Sequence, residues 1–172
     1  MEARGSSQQP VHCLFRKGVA MYVLLMRHGH AEEISGPEGR ALSQRGRAEV
    51  SRSAELLVQA YGPRLAVIYH SRKLRAAQTA GILAGTFHHP PIVQEADDLL
   101  PLDRVAVWAD RLQKAAEPLA LVGHMPFMAE LTMHFLRQGE DFRTIRFQTG
   151  QIICLEREED DLWRYRWTVV PE

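Results

Sequence analysis

The octet MRHGHAEE, residues 26–33, sets an arginine and two histidines around Gly29, directly after the apolar run YVLL. An imidazole in such a place has two chemical uses. In its neutral form it is a nucleophile that can accept a phosphoryl group, and it is also a common ligand for a divalent metal. The pair His28 and His30 has ligand-like H-x-H spacing, but a metal site also wants carboxylates or thiolates to offset the ion's charge. Arg27 stands in the same stretch, and a cation beside a metal ion is electrostatically costly. The arginine therefore favours an anion here over a metal, and leaves open which of the two histidines is a nucleophile. Two distant stretches have the same character. HSRKLRAAQT carries His70, Ser71 and Arg75, and LVGHMP carries His124. Arginine's planar fork matches phosphoryl oxygens better than a lysine does.

These residues act together only if the chain brings them to one place. MYVLLM (21–26) is a short continuous apolar run, as in a strand buried on both faces. Ser43 can N-cap a helix running to about Tyr61, with Val50, Ala54, Leu57, Val58 and Tyr61 on one face and Gly62-Pro63 as its stop. LAVIYH (65–70) reads as a second buried strand, followed by a helix over about 72–83, then a short strand near PIVQE (91–95). Val105, Trp108, Leu112 and Ala115 mark a third helix, LALVG (119–123) a further strand, and 127–137 a last helix. GQIICLE and WRYRWTVV flank the charged turn REEDD and predict an antiparallel pair. Trp163, Tyr165, Trp167 and Val169 alternate with polar residues, which predicts one buried face and core packing rather than a platform for stacking bases. The order implies a three-layer α/β/α sandwich, with a mostly parallel central sheet and an antiparallel C-terminal strand or hairpin. Ligands of such sheets bind at the carboxyl ends of the strands. Arg27, His28, Ser71 and His124 all fall there, Arg75 lies one turn into a helix whose N-terminus favours anions, and Gly29 would let backbone approach a ligand.

The totals narrow the partners. Lys plus Arg equals Asp plus Glu at 21 each in 172 residues, so no charge bias points to nucleic acid or an anionic membrane. The apolar stretch Ala20 to Met26 is too short to span a bilayer. Cys13 and Cys154 lack a CxxC pattern, and a reduced, cytoplasmic setting is the expectation. Residues 1–20 are polar and aperiodic, and read as a mobile N-terminal extension to a single domain over 21–172.

LLMRHGHAE, SRKLRAAQTA and LVGHMP, in this order and each after an expected strand, resemble the three signatures of the histidine phosphatase superfamily, which includes the phosphoglycerate mutases. The short chain, with no large insertion between them, is most similar to the phosphohistidine phosphatase branch. The resemblance implies that His28 attacks phosphorus in line and forms a phosphohistidine that water hydrolyses, without a metal or other cofactor. It assigns Arg27, Arg75 and His124 to the phosphoryl oxygens. Ser71 would add a hydrogen bond or cap the helix. The expected partner is a phosphorylated protein or a small phosphorylated metabolite.

Two stretches depart from that pattern. Larger members place a carboxylic acid after the third strand to protonate the leaving oxygen. Here QEADDLLP offers Glu95, Asp97 and Asp98, with Asp98 best placed, or else a solvated loop. A phosphoramidate relaxes this need, because its leaving imidazole nitrogen is itself basic. His30 stands where relatives often carry an acidic or small polar residue, and reads as a loop-surface histidine. Arg72 replaces a common proline, and with Arg143 and Arg146 it is a candidate specificity contact. Alternatives to a phosphohistidine phosphatase are a phosphomonoesterase for a small metabolite, a metallohydrolase built on His28, His30 and His124, and a non-catalytic phosphate-binding module.

Overall fold

A computed structural model describes residues 21–136 and 146–171. The expected N-terminal extension, Cys13 and Arg143 lie outside the described residues. Six strands form one sheet: β1 (Met21–Arg27), β2 (Val67–His70), β3 (Ile92–Glu95), β4 (Leu119–Gly123), β5 (Ile152–Arg157) and β6 (Trp163–Val169). Four helices join them: α1 (Gln44–Tyr61), α2 (Leu74–Gly85), α3 (Val105–Lys114) and α4 (Phe127–Leu136). The strand order is β3-β2-β4-β1-β5-β6. β1 to β4 are mutually parallel, β5 runs antiparallel to β1, and β6 antiparallel to β5.

The apolar run of β1 follows from its place near the middle of the sheet. Val23 and Leu25 enter a core shared with α3 and α4, containing Trp108, Leu112, Phe127 and Leu131. Tyr22, Leu24 and Met26 point the other way, into a core with Val50, Ala54 and Leu57 of α1 and Ala76, Ala80 and Leu83 of α2. Both faces are buried, so both sets of alternating residues must be apolar. Helix α1 starts and stops as its sequence predicts. Gly46 N donates to the Ser43 side chain, and Gly62 takes the left-handed conformation (φ 51°) that closes a helix. β3 is a sheet edge, with Ile92 and Val93 exposed. Among the described residues no helix is long and apolar enough to cross a membrane.

The C-terminal pair differs from the simple alternation expected of it. Cys154 pairs with Trp167 but Leu155 pairs with Tyr165, leaving Arg166 as the extra residue of a β-bulge. The bulge reverses the faces. Trp163 packs on the α3/α4 side, Trp167 and Val169 pack on the α1/α2 side, and Tyr165 stays partly exposed. Arg166 turns outward to Glu156 (2.6 Å) and Glu158 (2.5 Å).

Candidate active site

The ends of β1, β2 and β4 are stitched together at the carboxyl edge of the sheet. His28 N donates to Gly123 O (3.0 Å) and Ser71 N to Val122 O (3.2 Å). This brings the His28 and His124 rings together, with centroids 4.9 Å apart. Arg75 reaches in from the first turn of α2 and donates through Nε to His28 Nε2 at 3.1 Å. Ser71 Oγ is hydrogen-bonded to His124 Nε2. Ser71 is not the helix cap. α2 begins at Leu74 with Lys73 at its N-cap, and the backbone amide that reaches the Ser71 hydroxyl is Lys73 N, at 3.4 Å.

The hydrogen bonds fix the state of His28. Nδ1 lies 2.7 Å from Gly29 O, and a carbonyl only accepts, so Nδ1 carries the proton. Nε2 is then the lone pair, and it receives the Arg75 N–H. Burial, followed by the charges of Arg75, Arg27 and Arg40, outweighs the Gly29 bond and pushes the His28 imidazole down to about 4. His124 is pushed down to about 3 by burial, then by His28, Arg75, Lys73 and Arg27. Both rings are therefore neutral near pH 7. Arg27 donates through Nη1 to Phe147 O (2.7 Å). Two buried nitrogens here, Arg27 Nε and His124 Nδ1, have no hydrogen-bond partner among the described residues. Unsatisfied buried donors beside guanidinium groups are what an oxyanion would complete.

Gly29 is needed for the close approach of α1. A Cβ on it would lie 2.6 Å from Gly46 O and 2.7 Å from Val50 Cγ2, so the glycine admits α1. Gly46 makes the reciprocal fit, since its Cβ would stand 1.9 Å from His30 O. The Gly29 amide donates to Thr79 Oγ1 (3.2 Å).

His30 is a support of the turn. Its Nδ1 lies 2.8 Å from Ser43 Oγ, and its amide donates to Glu49 Oε2 at 3.1 Å. Glu49 also accepts from Thr149 Oγ1 (2.8 Å) and Arg45 Nε (2.7 Å). Burial would raise this carboxyl, but those bonds from Thr149, the His30 amide and Arg45 lower it overall. Glu49 escapes sequence reading because Arg45 four residues earlier makes it look like half of a surface helix pair.

The carboxylates after β3 are not bonded to this cluster. Asp98, in the left-handed region (φ 62°), pairs with Arg111 at 3.2 Å, and Asp97 offers its carbonyl to Trp108 Nε1 (3.1 Å). Glu95 ends the exposed edge strand. None of the three hydrogen-bonds to His28, His124, Arg27 or Arg75. Arg72 and Arg146 are exposed. Arg40, which sequence reading passed over, stands close enough to depress both His28 and Arg75. Among the described residues no three His, Cys, Asp or Glu side chains group as a metal would require.

Residues 23–99 match the family model of the histidine phosphatase superfamily (branch 1). Among curated proteins no sequence match is found. A solved structure of the protein histidine phosphatase SixA complexed with tungstate superposes with a TM-score of 0.77 at 22% identity, over 88% of this chain and 97% of that one. A SixA from Agrobacterium tumefaciens gives 0.74 at 23% identity, over 90% and 100%. A phosphoglycerate mutase from Plasmodium falciparum gives 0.66 at 18%, over 87% and 91%. At these identities the structures speak for the fold. In sequence over residues 23–99, and in fold along most of its described length, this chain is similar to the histidine phosphatase superfamily.

Proposed function

We propose that the chain is a phosphatase with a histidine nucleophile, acting on phosphohistidine in proteins. The observation that carries this reading is the state of His28. It is a neutral imidazole with its Nδ1 proton tied to Gly29 O and its Nε2 lone pair turned to Arg75.

The site suggests the sequence of steps. In the ligand-free site Arg75 Nε–H rests on the lone pair that must attack. An arriving phosphoryl group draws that guanidinium onto its own oxygens and uncovers Nε2. Arg27 Nε and His124 Nδ1, both without a partner, take further oxygens. Ser71 O–H donating to His124 Nε2 would place the remaining His124 proton on Nδ1, facing the anion. His28 Nε2 then bonds to phosphorus as the substrate P–N bond breaks, and the departing imidazole nitrogen takes up a proton. Water attacks the phosphohistidine, the N–P bond of His28 breaks, and inorganic phosphate leaves. The cations stabilise the charge spread over the phosphoryl oxygens in both steps. The tungstate held by the SixA neighbour, a tetrahedral oxyanion, is consistent with such a cradle.

The pairing of Asp98 favours one kind of leaving group. Asp98 is engaged with Arg111, and no carboxylate among the described residues hydrogen-bonds to His28, His124, Arg27 or Arg75. An alkoxide leaving group needs a proton donor, whereas an imidazole does not need a strong one. A matched panel of a phosphohistidine protein against phosphomonoesters tests this directly. We expect kcat/KM to favour the phosphoramidate by at least about a hundredfold. A preference for esters would move the reading to the phosphomonoesterase alternative, with Asp98 released from Arg111 as its acid. Binding of phosphate without turnover of any substrate would favour a phosphate-binding module.

A further inference from the structure

The segment between β1 and α1 is a tight flap. It doubles back through bridges pairing Ala31 with Leu42 and Gly36 with Gly39, with Glu32 N donating to Ala41 O at 2.9 Å. Its base is anchored on both sides. Leu42 N donates to Gln78 Oε1 of α2 (2.7 Å), and Ser43 N to His30 O (3.0 Å). Because β1 is parallel to β2 and β4, the flap rises from the same sheet edge as His28, with α2 and Arg75 beside it.

Arg40 is held on this flap by backbone alone. Its Nε donates to Glu32 O, and its Nη2 reaches Ala31 O at 3.5 Å. Nη1 has no partner, and no carboxylate among the described residues pairs with this guanidinium. A third arginine is thus held in place without a carboxylate partner among the described residues, on a flap tied to α2, the helix that carries Arg75, and its charge lowers both His28 and Arg75. Such repulsion costs stability unless a ligand brings negative charge. One phosphoryl dianion is already matched by Arg27 and Arg75 with the His124 nitrogen. Arg40 stands outside that group, exposed on the flap.

We infer that Arg40 is a specificity residue, binding a second anionic group, a carboxylate or phosphate, that the substrate carries beside the transferred phosphoryl. This rests on the phosphatase reading only for the identity of the transferred group. The second anion could belong to a small metabolite or to an acidic residue flanking a phosphohistidine, and two binding arms separate these sources. In the first, calorimetry compares phosphoglycolate with ethyl phosphate, which lacks the carboxylate. In the second it compares peptides carrying a non-hydrolysable phosphotriazole analogue of phosphohistidine, flanked by aspartate or by asparagine.

The wild type should favour the additional anion by about tenfold in at least one arm, and that arm names the source. Arg40→Gln should bring the ratio to about one, and Arg40→Lys should retain part of it, keeping charge without the fork. No preference in either arm of the wild type overturns the inference. So does a preference that survives Arg40→Gln, or an equal weakening of both ligands, which would put Arg40 on the transferred phosphoryl itself. Binding requires no turnover, so failure of the phosphatase reading would appear separately, as an absent phosphoenzyme.

Discussion

Acidification from pH 7 to pH 5 should destabilise the fold through His28 and His124. An unfolded imidazole titrates near 6.5, whereas in the folded chain these two are held down to about 4 and about 3. Below 6.5 the unfolded chain binds protons that the folded chain refuses, so the stability present at neutral pH is lost as pH falls. The loss continues until the folded value is reached. At pH 5 each unfolded ring is almost fully protonated and each folded ring almost wholly neutral, a cost of about 2 kcal/mol per histidine relative to pH 7. The pair together removes roughly 3–4 kcal/mol, a large share of an ordinary domain's 5–15 kcal/mol. Urea denaturation at pH 7, 6 and 5, at constant ionic strength, measures this as a falling midpoint at constant m-value. His28→Asn and His124→Asn each remove one titrating group, and the double variant should show the wild-type slope reduced by most of that amount. The remaining histidines are common to all four proteins. A wild type that loses less than about 1 kcal/mol, or a double variant with an unchanged slope, would refute the account of two buried neutral rings.

Three substitutions probe the supports of the site. Gly46→Ala would drive its Cβ to 1.9 Å from His30 O and part α1 from the nucleophile turn. We expect a loss of about 3 kcal/mol or more in urea unfolding, together with most of the activity. Ser71→Ala leaves buried His124 Nε2 without its partner, at a cost of about 1–3 kcal/mol, and kcat should fall with it in steady-state assays. Arg75→Lys keeps the charge but loses the fork, so kcat/KM should fall by about a hundredfold and methylated guanidines should not restore it.

The order of elements was legible because burial on both faces of β1 forces a continuous apolar run, and because Ser43 and Gly62 mark the ends of α1 by local chemistry alone. The core of the site was legible for a related reason. Arg27 ends β1, His28, Ser71 and His124 each directly follow a strand, and parallel strands deliver their ends to one edge. What escaped depends on contacts between distant segments. Arg40 sits in a polar loop whose path is set by the bond from Leu42 to Gln78. Glu49 reads as a surface residue until Thr149, a hundred positions on, closes over it. The face reversal in β6 hangs on one extra residue, Arg166, that alternation cannot reveal. His30 reads in sequence as a loop-surface histidine, and its attachment to Ser43 and Glu49 required the fold.

The central claim is that His28 Nε2 becomes covalently bound to phosphorus. Wild-type protein mixed with a phosphohistidine protein should be quenched in alkali within milliseconds and mapped by mass spectrometry. The account predicts one phosphate, acid-labile and base-stable, on the peptide containing His28, and none in His28→Asn. Robust release of phosphate with no such adduct, or an adduct that persists in His28→Asn, would contradict it.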